Sequence, residues 1–109
     1  MAKATLTWVE KRLRNRFDDG REYHSTDGRF VIDVGWFCGE RSGDRTAFIA
    51  KDKVLKGYRW GTQLNHAAAW CEMRAQGLER DVRELARELG RVRVQRLPRN
   101  RETPDDASP

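Results

Sequence analysis

The feature that most constrains this chain is a nine-residue alternation directly downstream of an Asp-Gly pair. Phe30, Ile32, Val34, Trp36 and Cys38 alternate with Val31, Asp33, Gly35 and Phe37. Successive strand side chains point to opposite faces, so this segment reads as a long strand with one wholly apolar face. Upstream, Glu22-Tyr23-His24-Ser25 runs into Thr26-Asp27-Gly28, and Asp-Gly favours the tight turn between paired antiparallel strands. A polar, glycine-bearing connection over 39–45 then leads into Thr46–Lys51, which reads as the returning strand of a second hairpin. Residues 52–56 are expected to turn into a short extended piece, Gly57–Gly61.

The pattern changes after Gly61. Thr62 is a suitable N-cap, and Leu64, Ala67, Ala68, Cys71 and Ala75 form a narrow stripe of mostly small residues at helical spacing, able to lie close against a sheet. Gly77 should end that helix. A second helix is expected from about Leu78 to Leu89, with Leu78, Val82, Leu85, Ala86 and Leu89 on one side and Arg/Glu pairs on the other, closed by Gly90.

Both ends of the chain are ambiguous. Thr5–Val9 is β-prone, yet Thr7 to Glu10 matches a capping box and Leu6, Val9, Leu13 and Phe17 fall at helical spacing; we read a strand. Arg91–Leu97 alternates Arg with Val and Gln, which fits either an edge strand or an extended basic arm. Pro98, Pro104 and Pro109, among acids and Ser108, leave the end too poor in apolar groups to offset the entropy of ordering it. The expected fold is α+β: an antiparallel sheet of three to five strands against a helix, a second amphipathic helix, and a disordered tail. One domain over residues 1–97 and a tail over 98–109 follow.

Charge narrows the class of partner. The chain of 109 residues carries a net charge of +5, and 17 of its 22 basic residues are Arg. Guanidinium grips phosphate in a two-pronged fork and stacks on bases, so nucleic acid leads as a partner; a GC-rich source also over-supplies arginine. No stretch approaches the ~20 apolar residues that a membrane helix needs. Met1 to Glu10 lacks the apolar core of a signal peptide, and Cys38 and Cys71 are isolated thiols in apolar surroundings, so a cytoplasmic protein is expected.

No nucleophile, base and oxyanion set stands out, and Gly39-Glu40-Arg41-Ser42-Gly43 lacks the Lys-Ser/Thr of a phosphate-binding loop, so no enzyme is expected. His24, His66, Cys38 and Cys71 supply the atoms of a Cys₂His₂ site without its paired short spacings; no metal or other cofactor is expected. Trp36 reads as core by its alternation with Val34. Trp60 and Trp70 serve either packing or contact. Arg91, Arg93, Arg96, Arg99 and Arg101 form a run with no acid between them. A flexible basic arm of this kind gains phosphate contacts by releasing counterions.

From Gly28 to about Cys71, the hairpin, the returning strand and Gly61-Thr62-Gln63-Leu64-Asn65-His66-Ala67-Ala68-Ala69-Trp70 resemble the three-stranded-sheet-plus-helix DNA-binding modules of plant ethylene-response factors and tyrosine-integrase N-termini. Tyr23, Ser25, Asp27, Gly28, Arg29 and Phe30 also resemble a hairpin motif of small actinobacteriophage proteins. The first resemblance implies that the exposed sheet face enters the DNA major groove. Here that face presents Arg29, Val31, Asp33, Gly35 and Phe37, and Asp33 would repel phosphate. The leading expectation is a phage-type accessory protein that binds nucleic acid through Arg14, Arg16, Arg59, Arg91, Arg93 and Arg96, with Trp60 for stacking. The alternative is a protein-interaction module, using Val31, Phe37 and the second helix to bind a host protein or to self-associate as a homodimer.

Overall fold

The computed structural model describes residues 3–12, 21–39 and 43–96, with the backbone alone at 36–39, 43–45 and 96. Its elements are β1 (Trp8–Arg12), β2 (Arg21–Ser25), β3 (Phe30–Gly39), β4 (Gly43–Asp52), β5 (Tyr58–Gly61), α1 (Leu64–Gln76), α2 (Val82–Leu89) and β6 (Val94–Arg96). The α+β class is as expected, but the sheet has six strands, in the order β5-β4-β3-β2-β1-β6. Every neighbouring pair is antiparallel except β1 and β6.

The Asp-Gly hairpin is built as its residues dictate. Gly28 takes φ +82°, where a side chain would be strained, and its N–H donates to the Ser25 carbonyl at 2.9 Å. Ser25 Oγ donates to Asp27 at 2.6 Å and accepts from the Phe30 N–H at 2.9 Å. The alternation of β3 sorts as read: Phe30, Ile32 and Val34 are fully buried beneath Ala67, Ala68 and Cys71 of α1. Each such apolar side chain contributes roughly 1.5–3 kcal/mol on leaving water. The side chain of Trp36 lies outside the described residues.

Helix α1 is buried on two sides. Ala67, Ala68 and Cys71 meet the sheet, while Ala69 meets Leu85 and Ala86 of α2. Small side chains let one helix sit that close to both layers. Gly77, at φ +71°, ends α1, and Gly90 caps the C-terminus of α2.

Several boundaries differ from the sequence reading. The first strand spans Trp8–Arg12 rather than Thr5–Val9, because Trp8 pairs with Ser25 on one side and Val94 on the other and is 1% exposed. The N-cap of α1 is Gln63, not Thr62, and it makes no side-chain capping bond. Helix α2 starts at Val82 because the Asp81 carboxylate caps it, accepting from the N–H groups of Arg83 and Glu84 at 2.8 and 3.1 Å. Arg91–Leu97 resolves toward an edge strand over Val94–Arg96; the expected tail lies outside the described residues.

Candidate nucleic-acid interface

The two sheet edges, β5 and β6, lie on opposite sides of the molecule, separated by five strand spacings or roughly 24 Å. Of the arginines singled out from the sequence, those among the described residues therefore do not form one patch. Arg59 and Trp60 sit on β5, and Arg91 and Arg93 precede β6. Arg14 and Arg16 lie outside the described residues, as do the side chains of Arg96 and Phe37.

Arg93 is committed to structure. Its Nη2 donates to the carbonyls of Ala4 and Leu6 at 2.8 and 3.3 Å, tying the chain's start to the β6 edge. Arg29 is likewise held, by the buried carboxylate of Asp52, and Asp33 is paired with Lys51 at 2.6 Å on the open sheet face. Neither helix packs on that face, where half-buried Val31 sits. Every residue of the hairpin motif from Tyr23 to Phe30 that was quoted above is accounted for by packing or turn bonding.

Two clefts flank the first turn of α1. One, of about 360 Å³, is lined by Arg59, Trp60, Gly61, His66 and Arg83, with Thr62 and Gln63. The other, of about 710 Å³, is lined chiefly by Leu64, Asn65, Ala86, Arg87 and Arg91 over Tyr23. Helix α2 joins them: Arg83 and Arg87 are one turn apart, a rise of about 6 Å, and Arg91 follows just beyond Gly90. A row Arg59, Arg83, Arg87, Arg91 thus runs from the β5 side of the molecule toward the β6 side.

The side chains that form this row are cationic. Among the described residues neither Arg59 nor Arg83 forms a close ion pair, although the Asp81 carboxylate lies near enough to Arg83 for their charges to attract. Arg59 Nη1 is fully buried with no hydrogen-bond acceptor there, lying over Gly61. Burial, and after it the positive charge of Arg59 and Arg83, holds the His66 imidazole below its ordinary pKa; Asp81 acts in the other direction. The first turn of α1 contains no acid. Trp60, on the opposite face of β5 from Arg59, is 46% exposed, whereas Trp70 packs partly buried against the core with Arg74 over its ring.

Arg83 and Arg87 were passed over in the sequence because α2 reads there as a solvated face of Arg/Glu pairs. The fourfold spacing from Arg83 to Arg87 to Arg91 is the signal that would have found them. Among the described residues no group of three or more His, Cys, Asp or Glu is placed to hold a metal ion, and no helix is long and apolar enough to cross a membrane. No family model matches the chain, and neither a curated protein nor a solved structure shows significant similarity to it.

Proposed function

We propose that this chain is a small phage-type accessory protein that binds nucleic acid and has no catalytic role. The observation that carries this reading is the row Arg59, Arg83, Arg87 and Arg91 across the α1 N-terminus, with exposed Trp60 beside it. Arginines spaced by one helical turn match a repeating phosphate backbone, and a half-exposed indole offers any base a stacking surface. The open sheet face is a poor groove reader because its charges, such as Asp33 with Lys51, are paired among themselves. The reading therefore favours a single strand crossing the row over a duplex seated on the sheet.

The test is fluorescence anisotropy with a labelled single-stranded oligonucleotide at increasing salt. Four phosphate contacts on a single strand imply a logarithmic salt slope near −3, so a fourfold rise in salt weakens binding roughly 50-fold. Absence of binding at low salt, or affinity indifferent to salt, rejects the reading.

A second reading has its own observation. Val54, Leu55 and Tyr58 are 61%, 62% and 74% exposed at the corner of β4 and β5, an apolar cluster that also suits a protein partner or a second copy of the chain. Nuclease-resistant capture of a partner, or a dimer in light scattering abolished by Tyr58→Ser, would favour it over nucleic acid.

A further inference from the structure

We propose that the cleft bounded by Arg59, His66 and Arg83 seats a single phosphate group, which resting on the nucleic-acid reading is one phosphodiester of a bound strand. A buried guanidinium N–H without an acceptor is costly, and Arg59 Nη1 is in that position at the wall of this cleft. The same guanidinium belongs to the cleft lining, and its fork of N–H donors suits an anionic oxygen seated there.

The placement of Arg59 is constrained by the backbone beneath it. A methyl group at residue 61 would stand 2.7 Å from Nη1, so the guanidinium occupies space that only glycine leaves free. Arg83 and His66 close the other sides from α2 and α1. Asp81, the carboxylate that acts on His66, accepts from the N–H groups of Arg83 and Glu84 and sets one negative charge against the two guanidinia of Arg59 and Arg83. The N–H groups of the first turn of α1, uncapped by Gln63, add a partial positive charge of the same sign.

A phosphate in this position shares an edge strand with Trp60. Arg59 and Trp60 are neighbours on β5 with side chains on opposite faces, so a strand whose phosphate enters the cleft brings a base to the indole by bending around the sheet edge. A duplex cannot follow that path.

The experiment uses the full chain with two probes, inorganic phosphate and labelled single-stranded oligothymidylate, and compares Arg59→Gln, Arg83→Gln and, as a charge-matched control on exposed Lys11 of β1, Lys11→Gln. Thermal unfolding of each variant accompanies the titrations. Arg59→Gln and Arg83→Gln are each expected to weaken oligonucleotide binding about tenfold and to lower the salt slope by about 0.7, the share of one phosphate contact. Lys11→Gln should do neither. Inorganic phosphate should raise the titration midpoint of His66, followed by its ring proton resonances, in the wild type but not in the Arg59→Gln, Arg83→Gln double variant.

If the oligonucleotide binds and both arginine variants behave as Lys11→Gln does, the cleft proposal is overturned while the nucleic-acid reading stands. If no oligonucleotide binds but phosphate still moves His66, the cleft is an anion site and the nucleic-acid reading falls. If neither probe acts, both fail.

Discussion

The carboxylate of Asp52, at the end of β4, holds the guanidinium of Arg29 through two parallel hydrogen bonds, from Nε at 3.1 Å and from Nη2 at 3.0 Å. The same carboxylate accepts from Arg74 Nε of α1 at 2.8 Å and from the N–H groups of Val54 and Leu55 at 3.0 and 3.1 Å. One buried acid therefore joins the start of β3, the β4–β5 turn and the helix. Asp52→Asn should cost about 3 kcal/mol in chemical denaturation, toward the low end for a broken buried ion pair because both guanidinia keep access to water. The Arg29 and Arg74 bonds hold the Asp52 pKa well below its ordinary 3.8. As pH falls below about 4, the unfolded chain takes up this proton first; the stability Asp52 contributes is complete above that pH and is lost progressively below it. Asp52→Asn should flatten that part of the acid unfolding curve.

Glu72 does the corresponding work for the chain's start. Its carboxylate accepts from the Thr5 N–H at 3.0 and 2.9 Å, from Leu6 N–H at 2.8 Å and from Thr5 Oγ at 2.9 Å. Glu72→Ala leaves those donors without acceptors and should destabilise the protein by about 3 kcal/mol. Amide exchange at Leu6 should accelerate ahead of exchange in β3; equal protection in the two proteins would contradict this role.

Helix α2 carries two of the four arginines of the row and is fastened mainly by Leu85, fully buried against Ala69 of α1. Leu85→Ala should cost about 2–5 kcal/mol. Exchange should rise first in α2, and oligonucleotide affinity should fall even at temperatures where the sheet remains folded.

Gly61→Ala separates stability from binding. The new methyl group meets only the flexible end of Arg59, so the melting temperature should change little while Arg59 is pushed from its place. A loss of oligonucleotide affinity comparable with that of Arg59→Gln is expected, and unchanged affinity would show that the position of Arg59 is immaterial.

The parts of this fold that were legible in the sequence are those whose causes are local. Asp27-Gly28, the alternation from Phe30 onward, and the stops at Gly77 and Gly90 each depend on a few neighbouring residues. The first strand was harder, because Leu6, Val9 and Leu13 also fit a helix and the decision rests on Trp8 pairing with Val94, 86 residues away. Glu72 and Asp52 gave no warning for the same reason: Thr5 and Leu6 for the one, and Arg29 and Arg74 for the other, come from distant segments. Arg93, read as a phosphate contact, also braces Ala4 and Leu6, while Arg83 and Arg87 looked like solvated charge and line the clefts. Whether an arginine is spent or available is decided by tertiary acceptors.

The most direct test of the proposed interface is a titration of isotopically labelled protein with single-stranded oligonucleotide, read as backbone and indole N–H chemical-shift changes. The proposed interface requires the largest shifts at the Trp60 indole, at residues 59–66 and at Arg83 and Arg87, with β1, β2 and the hairpin from Ser25 to Phe30 still. Shifts centred on the open sheet face at Val31 and Asp33, or on the β6 edge at Arg93 alone, would contradict it.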